Sequence, residues 1–433
     1  MAPLAELDAV ALAVSGGSDS MALMVLSARW RDRFARDLCP HIVVLSLDHG
    51  LRRESGEDCE RVKLWAGLRG FAHATLRWEG PKPESGIQNT ARNARYRLMA
   101  AWCKEHDVDH LVTAHTRNDQ AETVLMRLAR GTGIDGLAGM APVSRLNGLT
   151  ILRPLLDVSR DWLRSVLVAV GQPWIEDPSN ADPRFERARL RNMWPQLEAL
   201  GITRKALLRT AMRSRAASAA LETIAVKFLA ENVRLWDGGF CTVEPSCLSD
   251  MPEEIVLRMM QIILAQVSGM THLPRHETLR RVSDWAIGEH SSALTVFGCL
   301  IARRRRRIFV VREIGRMSDL PVMLSPGHDV IWDRRFRIGL AGRDMAPGLK
   351  GWSIAPLGRD GRAQLKSKET ATRIPAFVAY PLPALWRGKR LIAVPHLGYN
   401  VSPTVAVNTE FLRTHPMLTM PLWRVVDGHH NGF

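Results

Sequence analysis

Over the first 130 positions, short runs of strand character alternate with longer stretches at helical spacing. Ala9–Val14, His41–Leu47, His73–Trp78 and His110–Ala114 have strand length, and three of the four are dominated by aliphatic residues. Between and after them, Ser18–Trp30, Glu54–Leu68, Asn89–Glu105 and Asn118–Arg130 read as helices. Aliphatic strands without polar alternation are buried on both faces. The repeated β-α unit therefore predicts an α/β domain with a parallel sheet and helices on both sides. Ligands of such sheets bind beyond the carboxyl ends of the strands. That singles out the corners at Ser15, Asp48 and His115.

The texture changes near Pro195. Gln196–Val233, Glu253–Val267 and His276–Ile287 carry helical patterns. After Arg316, proline and glycine become frequent, and short apolar runs such as Arg335–Leu340 and Leu391–Val394 suggest a small β-rich domain. With 433 residues the chain is too long for one ordinary core. The expected division is a catalytic domain over 1–195, a mainly helical basic domain over 196–316 and a β-rich domain over 317–433.

Charge then narrows the partners. The net charge is +15, which attracts polyanions, nucleic acid foremost. A balance of 46% hydrophobic to 24% charged residues excludes a disordered chain. No run approaches the roughly 18 apolar residues of a membrane helix, and the acidic start at Glu6 and Asp8 lacks a secretory pattern. The six cysteines form no CxxC pair, so they read as thiols of a reducing cytoplasm rather than a disulfide frame or zinc site. The basic residues Arg204, Lys205, Arg209, Arg213 and Arg215 on one predicted helix are the better candidates for RNA phosphates. The run Arg303–Arg307 reads as a solvated basic edge strand or an RNA-facing row. His429-His430 at the tail is not read as a metal site.

The chemistry concentrates at two corners. Ser15-Gly16-Gly17-Ser18-Asp19-Ser20 joins the first strand to the first helix. Two glycines let backbone approach a phosphate, and the helix start offers free N–H groups. A carboxylate beside phosphates is repulsive unless it holds Mg²⁺, so Asp19 is the candidate metal ligand. The loop lacks the lysine of a Walker A motif. The second corner is His115-Thr116-Arg117-Asn118-Asp119-Gln120-Ala121-Glu122-Thr123. Here a carboxylate could hold an ammonium, and a neutral imidazole could take its proton. Gly131–Gly136 satisfies GxGxxG, but it follows a helix rather than a strand, which rejects the dinucleotide reading and leaves a loop near the site.

The hexapeptide, Leu47-Asp48-His49-Gly50-Leu51, the His115 block with its continuation to Gly133, Arg153-Pro154-Leu155-Leu156 and Asp177-Pro178-Ser179-Asn180 together resemble the bacterial tRNA(Ile)-lysidine synthetases, PP-loop enzymes of the N-type ATP pyrophosphatase superfamily. The specific match spans about residues 8–192. The resemblance implies ATP and Mg²⁺ as reactants, adenylation of the wobble cytidine of tRNA(Ile) with a CAU anticodon, and attack by free L-lysine. AMP and pyrophosphate would be released by a cytoplasmic enzyme, with a homodimer left open. It also implies a nucleotide site of Ser15, Gly16, Gly17, Ser18, Asp19, Ser20 and Asp48. Catalytic roles would fall to Asp19, His115, Asn118, Asp119, Arg95 and Arg187. Arg95 matches a family arginine near the phosphates. Around Arg187 the family pattern Arg-Asn-Arg is broken by Ala188. Two competing readings are a tRNA-thiolating PP-loop enzyme, which would want paired cysteines, and a non-catalytic RNA-binding protein on the same fold.

Overall fold

The computed structural model describes residues 7–33, 39–51, 54–80, 82, 87–146, 148–177, 182–270, 272–288, 290, 292–317, 321–325, 327–341, 351–365, 374–402, 404–412 and 425–426. The chain forms two compact units, Met1–Ser218 and Ala219–Phe433.

Unit 1 opens with strand β1 (Ala9–Ala13), helix α1 (Ser18–Arg31), β2 (His41–Asp48), α2 (Ser55–Leu68), β3 (Ala72–Arg77), α3 (Ile87–Glu105), β4 (His110–Val112) and α4 (Arg117–Ala129). Each lies within a few residues of its expected place. The sequence pattern assigned no helix or strand between Arg130 and Pro195, where the structure adds α5 (Ile134–Leu137), β5 (Val143–Leu146), β6 (Leu149–Leu152), α6 (Arg160–Ala169) and α7 (Glu186–Asn192); α8 (Trp194–Ala199) then overlaps the start of the expected helical stretch Gln196–Val233. The sheet order is β3-β2-β1-β4-β6-β5, parallel except for the β5–β6 hairpin at its edge.

Alternate residues of the strands feed two cores. Val10, Leu12 and Val14 of the first strand region pack with Val44 and Val112 against α1, α2 and α6. Ala11, Val43, Leu45, Leu111 and Ile151 pack on the other face against Tyr96, Met99 and Cys103 of α3. Burial on both faces is why these strands lack polar alternation. The long helix α9 (Arg204–Asn232) begins in unit 1, where Leu207 and Ala211 join Ala121 and Val124 of α4 and Trp194 of α8 in a further small core. The division between the units falls inside α9, at Ser218.

Unit 2 continues with β7 (Val233–Trp236), β8 (Phe240–Val243), α10 (Ser246–Ser249), α11 (Glu253–Ser268), α12 (His276–Ile287), β9 (Leu294–Val296), β10 (Cys299–Arg304), β11 (Arg307–Arg312), β12 (Val322–Met323), β13 (Val330–Trp332), β14 (Phe336–Ala341), β15 (Trp352–Pro356), β16 (Pro383–Arg387), β17 (Arg390–Val394), β18 (Tyr399–Asn400), β19 (Ala406–Phe411) and β20 (Val425–Val426). These build a six-stranded sheet β20-β7-β8-β11-β10-β9 backed by α11 and α12, and two antiparallel sheets, β12-β15-β16-β17-β18 and β13-β14-β19.

The arginine run is not an edge strand. Arg303 and Arg304 end β10, Arg305 and Arg306 form the turn with φ of 47° and 62°, and Arg307 begins β11. Positive φ at both central residues makes the two-residue turn that suits a twisted hairpin. Both strands have neighbours on either side in the sheet order. Arg303 is inward-acting: its Nη2 donates to the carbonyls of Ala286 and Gly288 at 2.9 and 2.8 Å, closing the end of α12.

Candidate active site

The site begins with the reversal of strand order. β1 is followed in the sheet by β2 on one side and β4 on the other, so the chain leaves their carboxyl ends in opposite directions and opens a crevice. A cavity of about 450 Å³ occupies it, lined by residues of both predicted corners, including Ser15, Gly17, Ser18, Asp19, Ser20, His115 and Asp119. Arg95, Arg160, Arg187 and Arg191 also line it.

The first corner is shaped by its own side chains. Ser20 Oγ donates to the Gly17 carbonyl (2.9 Å) and accepts the Ser15 N–H (3.2 Å), which folds the loop back on itself. Gly16 has φ +87°, and a Cβ there would stand 2.5 Å from Ile175 Cδ1. Its carbonyl accepts the Ile175 N–H at 2.9 Å. Gly16 is thus a packing position, while Gly17 caps α1 without a side chain and leaves the first turn open. The N–H groups of Ser18, Asp19 and Ser20 precede the first intrahelical bond, from Met21 N to Gly17 O.

Asp48 ends β2 outside the cavity lining. Its Oδ1 accepts the Gly50 N–H at 3.0 Å. Burial opposes its charge, but hydrogen bonds from Ser55 and Gly50 hold the carboxyl below its ordinary value. Asn118 also stays out of the lining; its Oδ1 accepts the Arg160 N–H at 3.2 Å and ties the start of α6 to the start of α4.

The second corner is an ion network. Asp119 Oδ2 accepts both the N–H and the hydroxyl of Thr116 (2.9 and 2.8 Å), completing a capping box at the start of α4. Its Oδ1 meets Arg160 Nη2 at 3.3 Å and Arg191 Nη2 at 3.5 Å. Arg160 Nε donates to Asp19 Oδ2 at 2.9 Å, and Arg191 grips Glu122 through Nε (2.7 Å) and Nη2 (3.0 Å). Asp119 therefore has four donors and no open lone pair for an incoming ammonium. Asp19 differs: its Oδ1 is buried and has no hydrogen-bond partner.

The two carboxyls diverge in acidity for the same reason. Burial, helped by the Asp119 charge, pushes Asp19 above its ordinary value despite Arg160. Asp119 is also desolvated, yet Arg160 and the Thr116 donors hold it below. Among the described residues no trio of Asp, Glu, His and Cys converges on one point. Mg²⁺ needs none, since it is commonly held by one or two carboxylates plus substrate phosphates and water. The orphaned Asp19 Oδ1, beside a helix start that fits phosphate, suits that role.

His115 stands beyond β4 with Nδ1 2.9 Å from Thr113 Oγ1. A Thr113 hydroxyl turned to the Leu152 carbonyl (3.4 Å) would accept from Nδ1–H and leave Nε2 as an acceptor. Burial, with Arg153, Arg92 and Arg187 adding to it against the pull of Asp119, brings the imidazole pKa down to about 4. A neutral ring at pH 7 has a stability consequence. The unfolded chain takes up a proton near pH 6.5, whereas the folded chain does so only near the depressed value, so stability falls as pH drops between them. A His115→Gln variant should lose about 2 kcal/mol less than wild type between about pH 7 and about pH 4.5 in urea unfolding. Identical losses would show that the ring titrates normally.

A family model described as the PP-loop domain matches residues 2–197. A tRNA(Ile)-lysidine synthase of Ruegeria pomeroyi is 36% identical over 89% of this chain and 88% of its own length. That of a Bradyrhizobium strain is 44% identical over 64% and 80%, and that of Wolbachia pipientis 32% identical over 90% and 89%. This chain belongs to the tRNA(Ile)-lysidine synthase family. Among solved structures, a tRNA thiolase of Methanococcus maripaludis shows 16% identity and a TM-score of 0.39 over 47% of this chain and 71% of that one.

Within this family member the crevice gathers most of the residues singled out from the sequence, leaving Gly16, Asp48 and Asn118 as supports behind it. Arg160 and Arg191 lie at the centre of the network and escaped sequence reading. Both sit far along the chain from either corner, and the elements that carry them, α6 and α7, were not predicted. The signal available was Ser159, which caps α6 by accepting the Trp162 N–H. Ala188, where the family pattern has asparagine, is 3% exposed and packed inward on α7. Asp177 lines the cavity, whereas Pro178, Ser179 and Asn180 lie outside the described residues, as do His429 and His430. The GxGxxG loop does not line the cavity; Arg127 binds the carbonyls of Gly136 and Gly139, and Gln120 binds Met140 through both N–H and carbonyl. All six cysteines are free; Cys103, with no exposure, is sealed in the α3 core, and Cys59, the one cysteine in the cavity lining, has its thiol pKa pushed up to about 11 by burial, which disfavours the thiolate. That is poor ground for sulfur chemistry. No helix among the described residues is long and apolar enough to cross a membrane.

Proposed function

We propose that this chain adenylates O2 of the wobble cytidine of tRNA(Ile) bearing a CAU anticodon and then joins free L-lysine to C2, making lysidine. The observation that carries the reading is the single crevice into which the PP-loop and the His115–Asp119 corner both open. The N–H groups at the start of α1 meet the triphosphate, and Arg95 and Arg187 flank it. Asp19 Oδ1 would hold Mg²⁺, which supplies neutralisation of phosphate charge. Attack of the cytidine oxygen on the α-phosphorus breaks the bond to pyrophosphate. The lysine amine then adds at C2, AMP leaves with the oxygen, and His115 Nε2 takes the proton shed by the amine. Its low proton affinity rises once phosphate charge enters beside the arginines.

Mass spectrometry of tRNA nucleosides after incubation with ATP, Mg²⁺ and labelled lysine tests this directly. Lysidine is expected, with AMP and pyrophosphate as the nucleotide products. ADP as the main product would exclude the adenylation route.

The RNA surface we propose in unit 1 is a stripe on α9. Lys205, Arg209 and Arg213 are exposed at i, i+4 spacing. Like charges so spaced repel, and cations in a first helical turn oppose the helix dipole. An outside polyanion relieves both costs. Arg204 and Arg215, expected to act with them, are engaged elsewhere: Arg204 pairs with Glu198 (3.0 Å) and covers Trp194, and Arg215 donates to the carbonyls of Ala138 and Met140. Charge reversal at Lys205, Arg209 and Arg213 should weaken tRNA binding and reduce its salt slope by roughly 2 to 3, with little change in ATP affinity. An unchanged slope across a salt series would show that the stripe does not meet RNA. A nucleotide-binding fragment should end near Ser218 rather than Pro195, because Leu207 and Ala211 cover the apolar face of α4.

A further inference from the structure

Three carboxylates, Asp19, Asp119 and Glu122, share two guanidinium groups, those of Arg160 and Arg191. The distribution is uneven. Arg191 serves Glu122 first, through two bonds of 2.7 and 3.0 Å, and reaches Asp119 only at 3.5 Å. Arg160 alone contacts Asp19, and it does so while also touching Asp119. It is held in that place by its own backbone N–H on Asn118 and by its position at the first turn of α6. A cation therefore already bridges the two carboxylates that face the nucleotide pocket. Only Asp19 Oδ1 remains without a partner.

We propose that Arg160 is a positioning residue that serves as the internal counter-cation of Asp19 and Asp119, so that a divalent ion enters only together with the nucleotide. The inference rests on the functional reading above. With Arg160 in place, one lone carboxylate oxygen is too little to strip water from a free divalent ion, which keeps its hydration unless several oxygens replace it. Phosphate oxygens arriving with ATP supply the missing ligands. Arg160 also occupies Asp19 Oδ2, which leaves Oδ1 as the carboxylate oxygen without a partner. Without the arginine, two neighbouring carboxylates repel each other, and a free divalent ion is the natural replacement for the lost charge. The site would then hold metal in the absence of nucleotide, uncoupling two binding events that the wild type joins.

The experiment is a Mn²⁺ titration of the full-length chain followed by electron paramagnetic resonance, without nucleotide, on wild type, Arg160→Met, Arg160→Gln and Arg160→Lys. Both neutral variants should bind Mn²⁺ at least about tenfold more tightly than wild type, because one unit charge a few ångströms away is removed. Arg160→Lys, which keeps the charge, should stay near wild type. Adding Asp19→Asn to either neutral variant should abolish the gain. A merely structural loss would not raise metal affinity, and if the Met variant fails to fold, the Gln variant retains polar contacts and carries the test. Equal nucleotide-free affinity in wild type and the neutral variants, or a gain that survives Asp19→Asn, overturns the proposal. The functional reading fails separately, if wild type with Mg²⁺, ATP, lysine and a tRNA(Ile) transcript releases no pyrophosphate.

Discussion

Replacing Asp19 with asparagine is expected to lower RNA-dependent pyrophosphate release by about 10²–10³-fold or more, the range seen when one preorganised charge-stabilising group is removed from a transition state. The substitution is nearly isosteric. It keeps an oxygen for Arg160 and removes the negative charge that would attract a divalent ion. Burial already holds this carboxyl above its ordinary value, so removing its charge also relieves a desolvation cost. The fold should therefore survive, with circular dichroism and unfolding midpoint close to wild type. ATP binding measured without Mg²⁺ should change little, whereas the gain in affinity on adding Mg²⁺ should disappear. Turnover within a few-fold of wild type would remove Asp19 from the chemistry.

The largest stability effect is expected far from that site, at Asp333. Its carboxylate is 2% exposed and sits between two buried guanidinium groups. Arg312 binds it through Nε and Nη2, both at 3.0 Å, and Arg335 through Nε at 2.7 Å. The same arginines bind the carbonyls of Gly298 and Gly239 at 3.0 Å, so one carboxylate organises β11, the β13–β14 hairpin and the β7–β8 turn. Asp333→Ala leaves two positive charges buried without a counter-charge, and breaking such a group costs about 3–5 kcal/mol. Asp333 also has φ +47°, a conformation that aspartate and asparagine tolerate better than alanine. Asp333→Asn separates the two effects, since it keeps the backbone preference and removes only the charge. Urea unfolding followed by tryptophan fluorescence, with Trp332 fully buried next door, should show most of the loss in both variants. A loss below about 1 kcal/mol in the alanine variant would mean that the arginines find other partners or water.

The parallel β-α core of unit 1, as far as α4, was legible in the sequence, and so were the strand-end corners at which the candidate site lies. Aliphatic strands buried on two faces and helices at regular intervals admit few arrangements, and the pattern alone puts the corner motifs at strand ends. Ser15–Ser20 and His115–Asp119 were legible because each is a contiguous block whose chemistry is local: a turn that needs glycine, a helix start, a carboxylate out of place near phosphate. Arg160 and Arg191 were not legible, because a guanidinium on a surface helix and one at an active centre look alike in sequence. Only the packing of α6 and α7 decides which carboxylates they meet. The same reason separates Lys205, Arg209 and Arg213 from Arg204 and Arg215, which share one basic helix but not one task. Asp119 shows the point most sharply. Its type and position were evident from the motif, but whether its oxygens were open or occupied depended on Thr116 beside it and on two arginines 41 and 72 residues away. Long side chains satisfy charge through space, and tertiary structure alone sets those distances.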